Sequence, residues 1–164
     1  MIARRAVVAL AGAGLLPACG FALRGPVEMP FSRIALTGFA PRSPLAEELK
    51  LTLGASVQVV GAPAQAEVVL HSLLDARERR VVASTTAAQV RELRLRMRFH
   101  YRVQTPTGRE LLPTEELLLS RDLNFNETDA LAKEYEEAQL YRDMQTDLVA
   151  QVLKRLSTLR MAPA

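Results

Sequence analysis

Few side chains in this 164-residue chain could carry chemistry, and most of those fail on spacing. His71 and His100 are the only histidines, each in a stretch where polar residues alternate with apolar ones, and neither falls in a metal-ligand motif. They read as solvent-side strand residues. Glu115-Glu116 and Glu136-Glu137 are carboxylate pairs adjacent in sequence, so on a strand or helix each pair diverges instead of converging on a substrate. Gly12-Ala13-Gly14 lies in an apolar leader and cannot serve as a nucleotide loop. No nucleophile and base can be paired, so the sequence predicts no catalytic residue, no metal, no cofactor and no enzyme. A row of arginines and a single cysteine remain.

The arginines stand in RELRLRMRFHYRVQ, where Leu93, Leu95, Met97, Phe99, Tyr101 and Val103 alternate with polar residues without a miss. Same-face residues on a strand are roughly 6.5 to 7 Å apart, so Arg94, Arg96 and Arg98 form a cationic ladder, with Arg102 two places beyond His100. Two readings stand. Either the row is a solvated face whose repulsion is relieved by carboxylates on a neighbouring strand, such as Asp75, or it is an anion-binding face. Guanidinium forks suit phosphate and carboxylate groups bidentately.

Cys19 sits in LLPACGFALRG and has no partner in its own chain. Ahead of it come Arg4 and Arg5, the apolar run Ala6 to Leu16 and small residues, the order of a secretory signal peptide. An eleven-residue run spans only about 16 Å, too short for a hydrocarbon core of about 30 Å. Leu16-Pro17-Ala18-Cys19 resembles the lipobox of bacterial lipoproteins, although Pro17 departs from the commoner residue there. That resemblance implies cleavage after residue 18, with acyl chains such as palmitate on the sulfur and amine of Cys19. Several chains hold firmly, at about 0.8 kcal/mol per buried methylene. A secreted protein with one free thiol is the competing reading, although an exposed thiol is a liability in an oxidising compartment. Gly20, where inner-membrane lipoproteins often carry Asp, points to the outer membrane. Removing the leader takes the formal charge from +3 to +1, which ends any argument for a globally basic protein. Nucleic acid is a poor partner outside the cytoplasm, which leaves phosphorylated lipids or an acidic protein surface for the arginines.

The elements that must position these residues are legible from periodicity. With 49% hydrophobic and 24% charged residues the chain suits one core. The organisation expected is a signal peptide over 1–18, an acylated lead-in over 19–30, a single domain over 31–160 and a tail over 161–164. Ser32 to Phe39 reads as a strand. Ser43 as N-cap, Pro44 at the first helical position and Leu45, Leu49 and Leu53 predict a short helix. A brief strand fits Ser56 to Val60. From Ala66 a half-buried strand is expected, with Val68, Leu70, Leu74 and Ala76 on one face and Glu67, His71, Asp75 and Arg77 on the other. Pro106-Thr107-Gly108 predicts a tight turn into a strand from about Glu110 to Leu123, with Pro113 marking an edge or bulge. Thr128 to Leu159 predicts a long helix capped by Asn126 or Thr128. Its apolar stripe holds Leu131, Tyr135, Ala138, Tyr141, Leu148, Val152, Leu156 and Leu159. The order implies an α+β fold, with two helices packed on one face of a mostly antiparallel, mixed sheet of about four strands.

Two blocks resemble a known family, the LptE lipopolysaccharide-assembly lipoproteins. One is Cys19-Gly20-Phe21 with Leu23-Arg24-Gly25. The other is SRDLNFNETDALAKEYEEAQLYRDMQTDLVAQVLKRL, Ser120 to Leu156, with Leu140-Tyr141-Arg142-Asp143-Met144 the most specific run. The resemblance implies a lipid-anchored periplasmic domain of the outer membrane that plugs the barrel LptD. There it aids barrel assembly and delivers lipopolysaccharide to the outer leaflet. The family's basic lipopolysaccharide-binding positions cannot be matched in the middle of the chain. Arg94, Arg96, Arg98 and Arg102 are therefore nominated from the arginine row itself. The alternative is another lipid-anchored envelope scaffold or transport-auxiliary lipoprotein.

Overall fold

The computed structural model describes residues 27–86, 89–125 and 129–161. The leader, Cys19 and the cap candidates Asn126 and Thr128 lie outside them. In chain order the elements are β1 (Arg33–Thr37), α1 (Pro44–Leu53), β2 (Gln58–Val60), a 3-10 turn (Pro63–Gln65), β3 (Val68–Ser84), β4 (Val90–Gln104), β5 (Glu110–Asn124) and α2 (Ala130–Ser157). The sheet has five strands in the order β2-β1-β3-β4-β5, one more than the sequence reading because the brief strand pairs. β1 runs parallel to both β2 and β3, and the remaining pairings are antiparallel.

Both helices cover the face that the alternation in β4 makes apolar. Leu93, Leu95, Met97, Phe99, Tyr101 and Val103 share one core with Leu45, Leu49 and Leu53 of α1 and Met144, Leu148 and Val152 of α2. Phe99 stacks between Tyr101 and Phe39, with ring centroids 5.1 and 5.8 Å away. The Tyr101 hydroxyl donates to Glu115 at 3.1 Å, and burial, reinforced by that carboxylate, holds its phenol well above the usual range. α1 begins as its sequence requires: Ser43 Oγ accepts the Ala46 N–H at 3.2 Å and donates to Asp75 at 2.7 Å, with Pro44 in the first turn. Gly108, at φ 87°, closes the β4–β5 turn by donating its N–H to Thr105 O at 2.9 Å. β5 is an edge strand with a register shift around Pro113, so both expected features of that proline are present.

The strand reading of β3 needs one correction. A bulge between Ser72 and Leu74 inserts a residue, so the face parity reverses half-way along. Val68 and Leu70 point into the core, whereas Leu74 and Ala76 lie opposite His100 and Arg98 on the far face. Asp75, Arg77 and Arg79 consequently sit on the helix side, opposite Phe99, Met97 and Leu95. α2 packs on this charged stretch from Glu137 onward. Its first two turns do not bury the expected stripe: Leu131 is 83% exposed and Tyr135 71%. The helix instead offers Glu137 to Arg79 at 3.5 Å and Gln145 to Arg77 at 2.7 Å, while Tyr141 lies under the Arg77 guanidinium. Leu148 and Leu156 are buried further along the helix, as expected.

Candidate anion-binding face

The sheet face away from the helices carries the arginine row, because a strand that commits one parity to the core must send the other outward. Arg94, Arg96, Arg98 and His100 are partly buried there by their cross-strand neighbours, and Arg102 is exposed. Register places Arg80, Glu78, Ala76 and Leu74 on one side of the row and Asp122, Ser120, Leu118 and Glu116 on the other.

The four nominated arginines differ sharply in their partners. Arg94 grips Asp122 with two bonds, Nε to Oδ1 at 2.6 Å and Nη2 to Oδ2 at 3.0 Å. The hydrogen bonds from Arg94 hold the Asp122 carboxyl below its ordinary range, and the same contact raises the guanidinium. Arg98 lies 3.6 Å from Glu78 and 3.4 Å from Glu116, and Glu116 also meets His100 Nε2 at 3.3 Å. Arg96 and Arg102 form no ion pair among the described residues. Arg96 lies between Glu78 and Ser120 in the register, and its buried Nε has no hydrogen-bond partner. Arg102 is opposite His71.

Carboxylates on the neighbouring strands thus relieve Arg94 and Arg98, as a solvated face requires. Across the outer face of β3–β5 the arginines Arg80, Arg94, Arg96, Arg98 and Arg102 are matched in number by Glu78, Glu92, Glu110, Glu116 and Asp122, so what distinguishes the face is the two arginines without a partner, not a net charge. Asp75, the carboxylate expected to relieve the row, is on the helix face bonded to Ser43. Glu78 takes its place because of the β3 bulge. Glu116 and Asp122 were readable from the parity of β5 once it was paired with β4. Exposed ion pairs of this kind are screened by solvent and cost side-chain entropy to hold, so they organise the face more than they stabilise the domain. Among the described residues, no cluster of His, Cys, Asp and Glu could hold a metal ion, and no helix is long and apolar enough to cross a membrane.

Together the fold and this face define a two-layer α+β domain with a polar, arginine-lined sheet surface. Residues 31–156 match the family model LptE, described as lipopolysaccharide-assembly, and the chain belongs to that family. Solved structures agree. An uncharacterized lipoprotein B from Nitrosomonas europaea is 33% identical, with a TM-score of 0.72 over 84% of this chain and 90% of that one. A minor lipoprotein from Acinetobacter baumannii (20% identity, TM-score 0.66, 83% of this chain and 99% of that one) shares the fold. The rare lipoprotein B from Shewanella oneidensis does too, at 22% identity and TM-score 0.64 over 77% of this chain and 95% of that one. No curated protein matches significantly.

Proposed function

We propose that this chain is an outer-membrane lipoprotein, anchored by acylated Cys19 on the periplasmic side, that works with the barrel LptD to assemble lipopolysaccharide into the outer leaflet. The role is not enzymatic. The observation that carries it is the family match over residues 31–156, joined to the Leu16-Pro17-Ala18-Cys19 motif ahead of it. The anchor confines the domain to the membrane surface and so raises its effective concentration near a barrel. A compact two-layer domain then fills the lumen as a plug, by shape and polar contacts.

Mass spectrometry of the mature N-terminus tests the anchor: a lipid-modified Cys19 is expected, and Cys19→Ser should give an unanchored product. An unmodified thiol, or cleavage elsewhere, contradicts it.

Lipopolysaccharide carries phosphate groups, which suit the guanidinium groups of the outer sheet face that have no carboxylate partner. Arg94, Arg96, Arg98 and Arg102 are its proposed contacts. Arg96 and Arg102 lead, because an incoming anion displaces no carboxylate from them. Replacing both with Gln keeps strand alternation and leaves Arg94–Asp122 in place. Two charge-assisted contacts are each worth about 1.5–3 kcal/mol, so binding to lipopolysaccharide should weaken on the order of tenfold or more and lose part of its salt sensitivity. Thermal melts should be unchanged. A folded variant that binds as the parent does across a salt series returns the row to a solvated face.

A further inference from the structure

β5 ends the sheet with its outer edge unpaired. Among the described residues its strand partner is β4 alone, no other backbone–backbone hydrogen bond reaches residues 114–122, and one carbonyl there, that of Ser120, accepts from the Arg121 side chain at 3.0 Å. Long apolar edges are rare because a row of free N–H and C=O groups templates pairing with another chain. This one carries three consecutive leucines, Leu117, Leu118 and Leu119, with Leu118 51% exposed.

The sequence around those leucines is self-complementary. When the strand is laid antiparallel to a second copy with Leu118 on the two-fold axis, Leu118 meets Leu118, Leu117 meets Leu119, Glu115 meets Arg121 and Glu116 meets Ser120. Opposite charges directly across two strands attract, and apolar side chains pack. Moving the axis to Leu119 sets Glu116 against Asp122, and moving it to Leu117 leaves Glu115 facing Leu119. Only the register centred on Leu118 satisfies both charge and apolar pairing.

The helix layer repeats the pattern. Arg121 already holds Asp147 of α2 at 3.0 Å, and Glu115 holds Arg155 at 3.3 Å. Placing Glu115 of one copy beside Arg121 of the other joins these pairs into an alternating row, Asp147, Arg121, Glu115, Arg155, on each side of the axis. The arrangement keeps both helix layers on the same face.

We propose that two copies of this chain associate through β5, edge to edge and antiparallel about Leu118, joining their sheets into one. The interaction belongs to the protein free of other partners and does not rest on the functional reading above.

Paired residues across an antiparallel ladder have Cα atoms about 4.5 to 5.5 Å apart, within disulfide range. Full-length mature chain in detergent carrying Leu118→Cys should therefore form a covalent dimer on mild oxidation. Ser120→Cys alone should not, because its counterpart is several residues away, whereas Ser120→Cys mixed with Glu116→Cys should cross-link. The parent, whose one cysteine is Cys19, is the control for any cross-link through that residue. Leu118→Lys, at a half-exposed position, sets two like charges on the axis and should weaken dimerisation in sedimentation velocity at least tenfold. A chain that sediments as a monomer throughout a concentration series overturns the proposal. So does Ser120→Cys cross-linking to itself as readily as Leu118→Cys, and so does a β5 edge that captures only a different protein.

Discussion

Leu148→Asp should lower the urea midpoint of the domain more than any surface change, and in a marginal background should leave it unfolded. Leu148 is 1% exposed, in the half of α2 that packs on the β4 core beside Met144 and Val152. Truncating a buried leucine alone costs about 2–5 kcal/mol. The carboxylate adds the penalty of an unpaired charge in an apolar site, against a typical total stability of about 5–15 kcal/mol. Glu136→Gln on the same helix removes only an exposed contact with Lys133 and should shift stability by less than about 0.5 kcal/mol. Urea unfolding followed by circular dichroism compares the two, and equal midpoints would refute the phase assigned to α2.

Gly38→Ala is expected to have the second largest effect, for a reason no helix pattern reveals. Gly38 follows β1 at φ 78°, a region that L side chains rarely occupy. An added Cβ would lie 2.2 Å from the Ser72 carbonyl oxygen and 3.0 Å from the His71 ring. Ser72 opens the β3 bulge, so the clash falls where the parity of that strand reverses. Left-handed strain and overpacking contribute about 1–3 kcal/mol each. Gly61→Ala, with nothing within 4 Å of its Cβ and no positive φ, should be nearly neutral. If thermal melts show equal losses for the two, the close approach of β1 to the bulge is not a constraint.

How far the sequence announces the fold can be judged from particular elements. The β4 alternation, the Ser43-Pro44 helix start and the Pro106–Gly108 turn were legible because each depends on local periodicity or a residue with one favoured conformation. The β3 bulge was not. A one-residue insertion leaves no mark in a strand whose later half, LLDARERR, mixes apolar and charged residues on both parities. From that one slip follow the misplaced Asp75 and the overlooked Glu78. The buried stripe assigned to Leu131 and Tyr135 also failed: α2 meets the sheet's charged stretch from Glu137 onward, and those two residues ahead of it stay exposed. The arginine row was visible, but its pairing was not, because Asp122 and Glu116 become its neighbours only through the β4–β5 register. The family resemblance rested on residues near Cys19 and on Ser120 to Leu156, from the end of β5 through α2, which left β1 to β4 to the structure.

Affinity purification of the chain from detergent-solubilised outer membranes tests the central claim most directly. A large β-barrel recovered in one-to-one ratio with it, and identified by peptide mass spectrometry as LptD, is the result the account predicts. Recovery of the lipoprotein from that fraction with no stoichiometric barrel, or with a different envelope partner, would contradict it.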